Sequence, residues 1–251
     1  LPTDLLFYLA AIPAVVLTGV SKSGFGGIAL LAVPLMSLVM SPVEAAAIML
    51  PLLLLMDLFG VLAWRRQANW RHLGVLLPGA AVGVLVGMFT ASYVAEDFIR
   101  LLVGVIAVGF CAYRWWPRRT QHADAHLEKP PHPSGVFWGA VAGYTSYVAH
   151  AGSPPYHAYI LPKNLDKKTF AATGVWFFAL VNLAKLPAYM YAGQLTSNSL
   201  YLSLILAPLV PVGFWLGLWL NRVVPHAIFY RVIYAAVFLS GLKLIGDVLV
   251  W

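Results

Sequence analysis

Ten apolar stretches run through this chain, and four of them are too short or too broken to cross a bilayer unaided. They lie at about 4–19, 26–39, 44–64, 72–91 and 98–116, then 135–149, 152–161, 169–191, 199–221 and 228–250. The other six reach the roughly 20 residues that a helix needs to span the hydrocarbon. The four short ones stand as two pairs, one at the head of each half. The most telling is Gly143–Pro162, GYTSYVAHAGSPPYHAYILP. There Thr145, Ser146, His150, Ser153 and His157 sit between apolar flanks, and Gly152, Pro154 and Pro155 interrupt any continuous helix. Non-helical backbone at membrane depth survives only where protein buries it or where it lines a wet cavity. Gly19–Gly27, GVSKSGFGG, is a plainer counterpart. Interrupted segments at corresponding places in two halves of a membrane chain point to a transporter's binding site.

Composition excludes the soluble classes. Of the residues, 61% are hydrophobic and 10% charged, where a soluble domain carries about 25% charged residues. The net charge of +7 fits loops lying beside anionic headgroups rather than a nucleic-acid surface. The one cysteine, Cys111, lies in an apolar stretch, so neither a disulfide framework nor a cysteine metal site is expected. The first segment contains Asp4 and Pro13 and lacks a small-residue cleavage site, so it reads as mature chain rather than a signal peptide.

The two halves match. Pro78, Gly83 and Gly87 have the spacing of Pro208, Gly213 and Gly217, and Phe98, Ile99 and Arg100 correspond to Phe229, Tyr230 and Arg231. Gly19 aligns with Gly143 and Asp57 with Asn182, allowing one-residue slips. The expected fold is an all-α polytopic membrane protein of two repeats, residues 1–116 and 134–251, joined by a cytoplasmic linker at 117–133. Each repeat has five segments, two short or re-entrant and three full spans. Lys and Arg gather in the loops Arg65–Arg71, Arg114–Lys129, Lys163–Lys168 and from Arg222 onward, while those near Glu44, Glu96 and Gly193–Ser197 have none. Basic loops belong in the cytoplasm. This puts both termini outside, in a bacterial inner membrane, and five elements per half make the second repeat inverted.

The candidate site residues follow from the two interruptions. A helix starting after Gly24, Gly26 and Gly27 would aim unpaired N–H groups and its positive dipole end at an anion, with Ser21, Lys22 and Ser23 adding donors. The alternative is a tight turn with Lys22 reaching toward headgroups. In the second half, Pro154 and Pro155 suit the first turn of a helix. There Gly152 and Ser153 would offer N–H groups, and Thr145, Ser146, Ser153 and His150 side-chain partners. Intramembrane charge is costly and marks function by default. Asp57, Lys185 and the neighbouring Asn182 are therefore candidates for substrate contact or coupling, or for a structural pairing of Asp57 with Lys185 or Asn182. His150, Asp57 and Lys185 are the coupling candidates, since an unperturbed histidine titrates near neutrality. No HExxH, Walker loop or cysteine metal pattern is present. His122, His126 and His132, with Asp124 and Glu128, read as a solvated linker. No metal or other cofactor is called for.

Two stretches carry a family resemblance: SGFGGIALLAVPL in the first half, and HAGSPPYHAYILP followed by LDKKTFAATGVWFFALVNLAKLPAYMYAGQL in the second. They resemble the glycine-rich repeat motifs of the TauE/SafE sulfite-exporter family, over essentially the whole chain. Ser153 stands where that motif commonly has a second glycine. The resemblance implies transport of small sulfur-containing anions such as sulfite, sulfoacetate or thiosulfate. The residues alone reach a transporter of an anion, with the bilayer and a small anion as its expected partners and protons as an available coupling ion. One rival is a channel-like uniporter, which would lack the trans-acceleration of a carrier. The other is a membrane-embedded enzyme, which would need carboxylates beside His150 and His157, where Asp57 alone is available at depth.

Overall fold

The structure, a computed structural model, describes residues 5–25, 29, 32–36, 39–90, 93, 95–115 and 128–249. Among these every regular element is helical. In the first half they are α1 (Leu5–Val20), extended by a π-helical turn at Ser21–Phe25, α2 (Ala32–Met36), α3 (Pro42–Trp64), α4 (Trp70–Thr90) and α5 (Glu96–Trp115). In the second they are α6 (Ser134–Ala149), α7 (Ser153–Ile160), α8 (Lys167–Tyr191), α9 (Ser197–Leu206), α10 (Leu209–Val223) and α11 (His226–Leu249).

The helix starts are written locally. The Ser41 side chain accepts from the Glu44 N–H ahead of Pro42, and that of Asp166 accepts from the Lys168 and Thr169 N–H groups at the head of α8. Thr196 and Ser199 form a reciprocal capping box on α9.

Four helical stretches among the described residues are long and apolar enough to cross a membrane: Leu5–Ser23, Val43–Trp64, Trp70–Thr90 and Lys167–Tyr191. A fifth crossing is available if α9 and α10 act together across a 50° bend. Two elements differ from the sequence reading. The stretch 4–19, counted as short, runs on as Leu5–Ser23, because the π-helical turn at Ser21–Phe25 continues α1 beyond Val20. The stretch 199–221, counted as one straight span, breaks before α10, where Pro208 is the N-cap. Pro78, at the matching place, lies inside an unbroken α4.

Large apolar side chains point outward. Leu62, Leu85, Phe89, Trp219 and Leu239 are each more than half exposed, whereas Asp57, Lys185, Asn182, His157 and His72 are buried. That inside-out distribution suits a lipid surround, where apolar burial gives helices little reason to associate and close van der Waals packing takes over. Small residues provide it. α6 packs on α4 and α1 packs on α10, while α3 packs on α8 and α5 on α11. At Gly83 an added Cβ would stand 2.7 Å from the Tyr144 nitrogen, and at Gly213 one would stand 2.7 Å from the Val16 carbonyl oxygen. The glycine spacing that the two halves share therefore marks these two close crossings.

Gly83→Val is expected to destabilise the fold by about 1–3 kcal/mol through overpacking, read as a lower unfolding temperature in detergent. Gly74→Ala, where nothing lies within 4 Å of an added Cβ, is the control. It should be neutral or slightly stabilising, since Ala outranks Gly in a helix by about 1 kcal/mol. Equal losses from both would show that the crossing does not depend on Gly83.

Candidate functional site

Both interrupted stretches open onto one internal cavity. Three helical faces supply most of its wall. Thr18, Ser21 and Lys22 come from the end of α1 and its π turn, at the i, i+3, i+4 spacing that puts side chains together. Phe170, Gly174, Phe178 and Asn182 form a stripe of every fourth residue along α8. Ser153 and His157 are one turn apart on α7, and Ser146 with His150 approach from the end of α6. The cavity leaves about 70 Å³ for the centres of water-sized spheres, several times the roughly 10–15 Å³ that one water needs. A small hydrated ion fits.

Local backbone sets the lower rim. His150 ends α6 in the left-handed conformation at φ 50°, a common way to stop a helix. Its N–H and that of Ala151 return to the Ser146 and Thr145 carbonyls. Gly152 then passes so close beneath α6 that an added Cβ would stand 2.7 Å from the Ala142 carbonyl oxygen. Pro154 and Pro155 carry no N–H, so Gly152 and Ser153 supply the first N–H groups of α7.

The charges fall into two groups. Asp57 is 4% exposed and fully engaged: one carboxylate oxygen accepts from Lys22 Nζ at 2.6 Å, the other from Asn182 Nδ2 at 2.6 Å. Lys22 also sits 5.3 Å from the Phe178 ring centroid, within cation–π range. Lys185, with no exposed surface, donates to the Ser146 carbonyl at 3.1 Å, to Ser146 Oγ at 3.2 Å and to His150 Nδ1 at 2.9 Å. His150 Nε2 lies 3.2 Å from the Ala46 carbonyl oxygen. A carbonyl only accepts, so the proton belongs on Nε2 and Nδ1 is the acceptor. Three acceptors then meet the three N–H bonds of a lysine ammonium. None of those partners is a carboxylate. The charge of Asp57 is matched by Lys22, and Lys185 is a second buried lysine, with no carboxylate among its hydrogen-bond partners.

Ser21, Lys22, Ser146, His150, Ser153 and Asn182 thus line one cavity. Lys185 stands behind Ser146 and His150 rather than on the wall. Ser23 and Thr145 are turned away, donating to the Val20 carbonyl at 2.8 Å and to the Val141 carbonyl at 2.7 Å. Gly24 lies in the π turn, a feature frequent at functional sites. Gly26 and Gly27 lie outside the described residues, and so does the expected helix start beside them; α2 is described over Ala32–Met36. His122, Asp124 and His126 also lie outside. Of the two pairings open for Asp57, the structure has Asn182, joined by Lys22, which turns inward instead of toward headgroups. Thr18 and Phe178 were missed. Thr18 was legible as the residue one turn before Lys22, whereas nothing in the sequence brings Phe178 to that ammonium.

Apolar helices wrapped around a buried ionic centre define an integral membrane protein. The family model described as sulfite exporter TauE/SafE matches residues 11–244, and the chain belongs to that family. It is a family of transporters, and membership suggests a membrane exporter of sulfite or a related sulfur anion. No curated protein and no solved structure matches the chain.

Removing one partner of a buried ion pair strands the other. Asp57→Leu is expected to cost about 3–5 kcal/mol, measured as thermal unfolding in detergent. The double variant Lys22→Met with Asp57→Leu should recover part of this, with a coupling of about 0.5–3 kcal/mol. Simple addition of the two losses would show that the pair is not coupled.

Proposed function

We propose that the protein is a secondary transporter of small sulfur-containing anions, among them sulfite, thiosulfate, sulfoacetate and similar organosulfonates. The single observation that carries the reading is Lys185: a fully buried lysine whose three hydrogen-bond partners are all neutral, so that its charged form has no counter-charge bonded to it. A charge so placed is expensive, and an anion in the adjoining cavity offsets it. Ser21, Lys22, Ser146, Ser153, Asn182 and the N–H groups of Gly152 and Ser153 are the groups we assign to the anion. Thr145 and Ser23 act structurally in this reading.

The site lies between two inverted repeats in this proposal. The pairing of helices supports two matching halves, because α1 on α10 mirrors α6 on α4, and α3 on α8 and α5 on α11 each map onto themselves when the halves are exchanged; the inversion rests on the expected five segments per half. The cytoplasmic placement of the basic loops and linker, the external termini and a bacterial inner membrane rest on charge distribution.

The His150–Lys185 contact supports coupling to protons in this reading. A proton arriving at Nδ1 would face the Lys185 ammonium 2.9 Å away, and like charges that close oppose protonation. An anion lowers that repulsion, so anion and proton uptake favour each other.

Sulfite flux into proteoliposomes tests this. The wild type should show saturable uptake with trans-acceleration, stimulated several-fold by a pH gradient. Lys185→Met should lose at least about tenfold in flux, and His150→Ala should lose the response to the gradient. Normal flux in Lys185→Met would refute the anion site. Flux that ignores the gradient would remove proton coupling, and saturation without trans-acceleration would mean a uniporter pore.

A further inference from the structure

The ends of three helices border a second space, an open groove of about 780 Å³. Two membrane crossings fix its level. Val43–Trp64 stops and Lys167–Tyr191 starts beside it, so it lies where the apolar spans give way to basic loops. α3 packs against both α8 and α10, which brings the three ends together. One wall is apolar: Ala63 and Trp64 from α3 face Trp215 and Leu218 from α10. That wall continues onto the outer surface of the protein, where Trp215 and, one turn further on, Trp219 are largely exposed.

The opposite side of the groove is charged. Asp166, Lys167, Lys168 and Arg222 border it, a net charge of +2. Two of the four are already engaged. Asp166 is the N-cap of α8 and accepts from the Lys168 and Thr169 N–H groups. Lys167 Nζ donates to the Val224 carbonyl at 2.7 Å, tying the start of α8 to the residue that ends α10. The side chains of Lys168 and Arg222 are exposed and make no hydrogen bond or ion pair among the described residues. The groove is therefore amphipathic, with two available cations beside a lipid-facing apolar wall.

We propose that this groove binds an anionic phospholipid, its phosphate held by Lys168 and Arg222 and an acyl chain lying along Trp215, Leu218 and Ala63. Basic pockets between membrane helices recognise such headgroups through their charge, and tryptophan suits the level at which headgroup meets acyl chain. A soluble anion would use the charged side and leave the apolar wall unmatched. A zwitterionic lipid would bring its own ammonium to a side already in positive excess. The site is separate from the internal cavity and does not depend on what that cavity carries. The plainer alternative is that Lys168 and Arg222 reach independently toward whatever headgroups surround them.

Native mass spectrometry of the full chain in detergent separates these readings. Phosphatidylglycerol and phosphatidylcholine with the same acyl chains are supplied in equal amounts. The wild type should retain phosphatidylglycerol with a preference of at least about tenfold, as two cations at a membrane surface provide. Lys168→Gln combined with Arg222→Gln should bring that ratio close to one. Arg71→Gln combined with Lys129→Gln removes the same charge from exposed positions outside the groove and should leave the ratio unchanged. Similar losses in both double variants would mean diffuse attraction to a basic surface and would overturn the site. An unchanged ratio in the groove variant, or no preference in the wild type, would overturn it too, and the wild-type ratio decides even if a variant does not fold. Glycerophosphoglycerol, the same headgroup without acyl chains, should not displace the bound lipid at equal concentration. Displacement by it would assign the groove to a soluble anion and contradict the proposal.

Discussion

A buried lysine held by three neutral partners in the interior of an apolar chain is the interaction around which the molecule is arranged. It determines which other charges sit beside it. Asp57 is nearby, yet both of its oxygens are occupied, by Lys22 and Asn182. The carboxylate therefore balances the cation on the π turn and leaves the one on α8 without a carboxylate among its hydrogen-bond partners. With both lysines protonated, two ammonium groups meet one carboxylate, so one positive charge is in excess whichever of them takes Asp57. The acceptors that do hold Lys185, the Ser146 carbonyl and hydroxyl and His150 Nδ1, belong to the end of α6. That helix stops where it does because His150 adopts a left-handed backbone.

Such a centre needs a rigid frame, and lipid gives little hydrophobic help between helices. Backbone-to-backbone approach at the glycine crossings supplies the rigidity. Gly83 and Gly213 bring α4 to α6 and α10 to α1, and residues of both interrupted stretches line the same cavity. The outer faces carry Leu62, Leu85, Phe89 and Trp219 toward the bilayer. Interior polarity and exterior apolarity are two sides of one packing scheme.

Much of this was legible before any coordinates. Run length identified the helices, and the shared spacing of Pro78, Gly83 and Gly87 with Pro208, Gly213 and Gly217 marked the paired crossings. The interrupted stretches marked the cavity, because polar residues and helix breakers seldom coexist at depth without a reason. What sequence could not provide was partner choice. Lys22 lies 35 residues from Asp57, and no local rule says that it turns inward rather than toward headgroups. The hydroxyls of Ser23 and Thr145 looked like anion donors, but each had a nearby carbonyl of its own chain to satisfy it. The 50° bend at Pro208 was equally hidden, since Pro78 has the same neighbours by spacing and leaves its helix whole.

The central claim, that a buried lysine without a carboxylate partner makes this cavity an anion site, is tested most directly by thermal unfolding of the detergent-solubilised protein with and without sulfite at constant ionic strength. A ligand that binds only the folded state stabilises it by about 2.7 kcal/mol at about 100 times its Kd. The wild type should therefore unfold at a higher temperature in sulfite than in matched chloride, and Lys185→Met should show no such rise. An equal rise in both proteins, or none in the wild type, would contradict it.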